Sequence, residues 1–458
     1  MVRTQPRSSP PTRQPTDDTV QRVLAAGLWL TVVLVVLQSL SDLANEYVLG
    51  APRMDLNPGR EGNIFTWLSV SASYAAGVGA VLHACVDSRR RVAFALLGTI
   101  LLYFSVDDLV QLHERANNAL RGDLPQAIDN RLDVLLFAPL FAVFLVALYR
   151  VRKVVPRAAR RLLDGGAACL ILSVFFDEVV GELTLRLYDR GIDWPGVVKG
   201  VFEEGLELAG VLLIATAMTA AAVLAISHRR NGATVDRVVA GGAIVAAVAF
   251  AFLVVTDLVN TFALDSRYDD LDPGVEGNVF TWLSVAAVGS AGYLALVHGV
   301  ALTVRRYAYV ALGVLLCVLS ADDLVEAFER LARRLSLDVA DPVDRRTVLL
   351  FELPLQLAVL VLAWVLSSGW PATARLAGRV GVGLLALGIF LDEALLEATD
   401  RLRDSGYADV ASVKGALEEG VELAGGVLLA AALAGALIAR LSREVEDEAP
   451  NEVAAVDA

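Results

Sequence analysis

Three carboxylates stand where a long apolar run begins: Glu203, Glu204 and Glu207, in VFEEGLELAG at positions 201–210. The pattern returns as ALEEGVELAG at 416–425, where Glu418, Glu419 and Glu422 hold the same places, 215 positions later. A carboxylate at the edge of a membrane helix is costly unless it is hydrated, paired or used. On a helix Glu203 and Glu207 share a face, while Glu204 is turned aside. Hard oxygen donors in this spacing suit a divalent cation such as Ca²⁺, Mg²⁺ or Mn²⁺ as cofactor or cargo, or an organic cation. Crowded acids also repel one another, which suits a proton relay.

Further acids belong to the same set. Asp107, Asp108 and Glu114 recur as Asp322, Asp323 and Glu329 at that displacement. Asp177, Glu178 and Glu182 recur as Asp392, Glu393 and Glu397, and Asp42 recurs as Asp257. Their depths agree. At ~1.5 Å per helical residue, Asp107 lies about 24 Å beyond Arg91, and Asp177 the same beyond Arg161. That is the outer part of a hydrocarbon layer about 30 Å thick, with Asp42 and Glu207 near its boundary. Four helices of each half therefore bring candidate cation-ligating carboxylates to one level.

The elements that position them are membrane spans. The chain has 458 residues, 56% of them hydrophobic, and a formal net charge of −13. Its mean hydropathy is +0.58. The apolar residues fall into runs of bilayer length, about 20 residues or more each. These are 20–47, 65–85, 91–114, 132–150, 162–187 and 196–227, then 235–262, 280–302, 307–329, 346–367, 374–402 and 413–441. Continuity as a single span is weakest in the glycine-rich fifth and eleventh. The fourth and tenth lack internal acids apart from Glu352, which predicts a peripheral place for both.

The internal repeat is the firmest feature. EGNIFTWLSV at 61–70 returns as EGNVFTWLSV at 276–285, and only a one-residue slip between Phe137/Phe351 and Pro139/Pro354 disturbs the register. The expected fold is an all-α polytopic membrane protein, a tandem duplication of a six-helix unit with about twelve transmembrane helices. An even number of spans per unit gives both halves one orientation, related by an axis along the membrane normal. Residues 1–18 form a proline-rich, disordered cytoplasmic tail, 19–230 and 235–443 the two units, and 444–458 an acidic cytoplasmic tail. In architecture alone, a two-fold bundle of six-helix units resembles the major facilitator superfamily; no loop motif of that family occurs in the chain.

Basic loops at 89–91, 150–161 and 229–230 lie on the side of the termini, which places both termini in the cytoplasm of a multi-pass plasma-membrane protein. Most of the 52 acids fall on the opposite face. Acids contribute little to topology, so this asymmetry calls for another reason, and a negative field that concentrates cations supplies one. The expected function is an integral membrane transporter or cation-binding permease using this outer-face cluster. Its partners are the lipid bilayer and a cation or cationic solute.

Two other readings stand beside it. Lys199 precedes Glu203 by four residues, as Lys414 precedes Glu418, and Arg115, Arg186, Arg330 and Arg401 travel with the acids. Those residues can form structural ion-pair networks that transport nothing. A metal-dependent intramembrane enzyme would use His113-Glu114 beside Asp107-Asp108, but the counterpart of His113 is Phe328. Cys85, Cys169 and Cys317 have no metal-ligand spacing, and the four histidines are scattered. Short basic patches on an acidic chain do not suit nucleic acid. Gly77, Gly79, Gly205, Gly210, Gly381 and Gly383 suit close helix contacts, and Trp67 and Trp282 suit anchoring at the membrane surface.

Overall fold

The computed structural model describes residues 15–48, 63–88, 90–112, 115, 132–176, 180–188, 190, 194–228, 232–264, 278–325, 328, 330, 342–404 and 408–456. Its described elements are all helical. In chain order they are α1 (Pro15–Tyr47), α2 (Ile64–Val86), α3 (Arg91–Val110), α4 (Leu132–Arg152), α5 (Arg157–Phe175), α6 (Gly181–Tyr188) and α7 (Trp194–Ser227). There follow α8 (Gly232–Phe262), α9 (Val279–Ala301), α10 (Arg306–Val325), α11 (Pro342–Ser367), α12 (Ala372–Asp404) and α13 (Ala408–Val456).

Among the described residues, nine helices are long and apolar enough to cross a membrane: α1, α2, α3, α7, α8, α9, α10, α12 and α13. This is a helical, membrane-embedded architecture. The fourth, fifth and tenth expected spans are helical but fall outside these nine. For the fifth, Arg157, Arg160, Arg161 and Asp164 leave α5 too charged over a bilayer length. In that run α5 ends at Phe175 and α6 starts at Gly181, with π-type turns at Phe176 and Val180. A π-turn inserts a residue into the helical ladder and commonly marks a functional or strained place. α13 continues to Val456, so helix extends through most of the stretch expected as an acidic tail.

The repeated EGN(I/V)FTWLSV segment owes part of its sequence to helix capping. Asn63 Oδ1 accepts from the backbone N–H groups of Phe65 at 2.8 Å and Thr66 at 3.2 Å. Asn278 Oδ1 accepts from Phe280 and Thr281 at the same two distances. Each asparagine satisfies donors that have no partner inside the first turn.

Close packing follows from small residues. A methyl on Gly77 would lie 3.1 Å from the Gly98 carbonyl oxygen, where α2 crosses α3, and one on Gly292 would lie 3.1 Å from that of Gly313, where α9 crosses α10. A methyl on Gly166 would approach the Gly210 oxygen to 2.7 Å (α5 on α7), and one on Gly381 the Gly425 oxygen to 2.9 Å (α12 on α13). Bare backbones bring helices near enough for dense contact in a medium with no hydrophobic drive between them. Of the six glycines singled out in the sequence, Gly205 makes only ordinary contact at 3.7 Å and Gly383 meets nothing within 4 Å.

Helix neighbours in the first half are α2–α3, α3–α4, α4–α5, α5–α7, α2–α7 and α1–α7. In the second half they are α9–α10, α10–α11, α11–α12, α12–α13, α9–α13 and α8–α13, which repeat those six pairs along the chain, with α8–α12 in addition. Contacts between the halves run α2–α9 and α7–α13, with α1–α9 matched by α8–α2 and α3–α9 matched by α10–α2. The most enclosed spans are α7 and α13, whereas α1 and α8 are largely exposed, with outward residues such as Trp29, Leu37, Ile244 and Val248. Apolar side chains on that surface suit lipid.

The indoles of Trp67 and Trp282 link the halves. Trp67 Nε1–H donates to Ser320 Oγ at 3.1 Å, and Trp282 Nε1–H donates to Ser105 Oγ at 2.9 Å. Each serine donates in turn within its own half, Ser105 to the Val70 carbonyl and Ser320 to that of Val285, both at 2.9 Å. The two tryptophans expected as anchors at the membrane surface are half-buried and bond from one half to the other. Beside them Tyr74, 2% exposed, projects against Gly289, where a methyl would overlap its hydroxyl.

Candidate functional site

Four of the described carboxylates line a cavity of about 220 Å³ in the second half of the chain. α10 contributes Asp322 and Asp323 from its last turn, α11 contributes Glu352 and Gln356, and α13 contributes Glu422. Ser284 and Val288 of α9, and Leu385 and Ile389 of α12, complete the walls. Glu352 and Gln356 are four residues apart on α11 and share a face, which is why both reach the same space. Bare backbone at Gly388 makes room for Glu422, because a methyl there would overlap its side chain. Asp322 Oδ1 accepts from the Phe328 backbone N–H at 3.0 Å, tying the end of α10 to the residues that follow it.

This site brings Asp322, Asp323 and Glu422 together and adds Glu352, which the sequence placed on a peripheral helix. α11 is not peripheral at this level: it packs on α10 and α12 and supplies a wall of the cavity. Glu418 pairs instead with Lys414 on its own helix, and Glu203 pairs with Lys199 in the same way on α7. Both pairs are less than one-fifth exposed, so their ends are partly desolvated. Glu204, Glu207 and Glu419 are half-buried on α7 and α13. Asp107 and Asp257 are buried at 3% and 4% exposure, while Asp42 and Asp108 are half-buried.

Glu114, Asp177, Glu178 and Glu329, with His113, lie outside the described residues. Glu182 lies on α6, and Asp392, Glu393 and Glu397 lie on α12, with side chains outside the description. Among the described residues, no group of three or more His, Cys, Asp or Glu side chains is placed to hold a metal ion.

Two histidines read as scattered are related by the 215-residue displacement. His83 stacks on Phe94 with ring centroids 3.6 Å apart, and His298 stacks on Tyr309 at 4.5 Å. Both are buried, at 6% and 0% exposure, and His298 Nδ1 lies 3.0 Å from the Leu294 carbonyl oxygen. The signal was available, since each residue of one pair has its counterpart in the other. Gln356 had a weaker signal, a lone amide one turn from Glu352 in an apolar run.

Fold and site together define a helical membrane protein with a small, acid-lined cavity opening among its spans. The chain belongs to the family described as Domain of unknown function (DUF8692), whose model matches residues 23–221 and 272–436. No curated protein and no solved structure matches it.

Proposed function

We propose that this protein is a cation-binding membrane carrier built from two related six-helix units, with the carboxylate level toward the outside of the plasma membrane and both termini in the cytoplasm. The observation that carries the function is the convergence of Asp322, Asp323, Glu352 and Glu422 on one cavity among apolar spans. Carboxylates facing a bundle interior are expensive to keep and mark cation or proton paths. The duplicated arrangement is supported by the six matching pairs of helix neighbours and by the paired tryptophan–serine bonds.

The test is uptake of protons and a panel of divalent and organic cations into proteoliposomes, with a pH gradient imposed and removed. Glu352→Gln with Glu422→Gln keeps side-chain size and removes both charges. Uptake by the wild type and its loss in the folded variant are expected. A cation-independent wild type, or unchanged uptake in the variant, refutes the proposal. The Lys199–Glu203 and Lys414–Glu418 pairs support a second reading, structural ion pairs without traffic. That reading prevails if the wild type neither binds nor moves any cation and the charge variants alter stability alone.

A further inference from the structure

We infer that the second-half cavity alone takes the ligand, one per chain, and that the ligand is a small organic ammonium ion rather than a metal. This rests on the cation-binding reading above and names its ligand class and stoichiometry. Leu319, Gln356 and Val359 line the cavity. Their counterparts at the repeat displacement are Phe104, Phe141 and Phe144. Those three rings pack together, Phe104 edge-on to Phe144 at 5.4 Å and Phe141 at 5.8 Å from Phe144, which is fully buried. Packed aromatic rings thus stand in one half where the other lines its cavity with leucine, glutamine and valine. The polar lining diverges too, because α11 carries Glu352 and Gln356 where α4 carries Ala138 and Phe141.

Volume and chemistry narrow the ligand. A cavity of about 220 Å³ holds several times the ~30 Å³ share of one water molecule. A bare divalent ion needs oxygens converging at about 2.0–2.6 Å, and no three-donor group of that kind occurs among the described residues. Among those residues no lysine or arginine lines the space. The polar lining is rich in acceptors, and the side-chain oxygen of Gln356 is buried without a hydrogen-bond partner. A buried acceptor left unmatched is costly, and an ammonium N–H supplies its match. Leu319, Val359 and Leu360 give the same space an apolar wall. A lining that combines acceptors with apolar carbon fits an amine with a short alkyl body.

Calorimetric titration of the full-length protein in detergent tests this, with 1,4-diaminobutane as probe and Mg²⁺, Ca²⁺ and Mn²⁺ chlorides as comparators. One diamine per chain is expected, with affinity at least tenfold weaker in Glu352→Gln and lost in Leu319→Phe/Gln356→Phe/Val359→Phe, which copies the first half into the second. Glu207→Gln, in the first half, should stay within about twofold of wild type. Gln356→Phe alone serves if the triple variant does not fold. Two diamines per chain, or unchanged binding in the filled variants, overturns the half-site. Divalent binding without diamine binding overturns the ligand class and leaves the cation-carrier reading standing. Silence from every cation removes both.

Discussion

Replacing Gly166 by alanine tests the close crossing of α5 and α7. The added methyl would sit 2.7 Å from the Gly210 carbonyl oxygen and 3.2 Å from the Ile214 backbone nitrogen. These two obstacles are backbone, so α5 and α7 must separate even if the Ile214 side chain, whose Cγ1 lies 2.8 Å from the methyl, turns aside. Overpacking of this kind costs about 1–3 kcal/mol. Against it stands the helix propensity of alanine, better than glycine by about 1 kcal/mol. Gly383→Ala is the matched control, because its methyl meets nothing within 4 Å. The propensity gain is common to both and cancels in their difference. Gly166→Ala should therefore be less stable than Gly383→Ala by about 1–3 kcal/mol, read from equilibrium unfolding in mixed micelles. Equal stability of the two variants would refute the close backbone crossing. The same comparison with Gly381→Ala, facing the Gly425 oxygen at 2.9 Å, should give the same sign.

Two other perturbations follow from the bonds at the start of α2 and between the halves. Asn63→Ala and Asn278→Ala each remove a cap that accepts two backbone N–H groups. Each should lose about 0.5–2 kcal/mol in the same unfolding assay, whereas serine at either position should retain most of the stability. A double-mutant cycle of Trp67→Phe with Ser320→Ala should show a coupling of about 0.6 kcal/mol, with about 1.7 as a ceiling, as for other bonds between membrane helices. Trp67→Phe with Ser105→Ala, which do not bond to each other, should show a smaller one.

Much of this organisation was legible because it depends on residue type at fixed spacing. EGNIFTWLSV and EGNVFTWLSV are nearly identical as sequences, and their asparagines cap α2 and α9. Apolar runs marked the nine long helices because hydropathy depends on composition and length alone. What the two tryptophans touch was not legible, since an indole at a helix start suits a membrane surface as well as a serine on a neighbouring helix. Glu352 was undervalued for a related reason: a single acid on an apolar helix looks peripheral until α10, α12 and α13 are placed around it. The packing of Phe104 on α3 against Phe141 and Phe144 on α4 belongs to two helices together and is invisible in either segment alone.

Tyr74 and Gly289 are counterparts at the repeat displacement, yet one is among the largest enclosed side chains and the other has none. Each is shaped by the other. Two copies of the first half, set together as the halves are here, would bring tyrosine against tyrosine where only one fits. Two copies of the second half would oppose glycine to glycine and leave a hole. The halves have become lock and key to one another, so on the duplicated-unit reading neither can return to life as a symmetric homodimer. Split into separate polypeptides, the two should assemble only as an unlike pair.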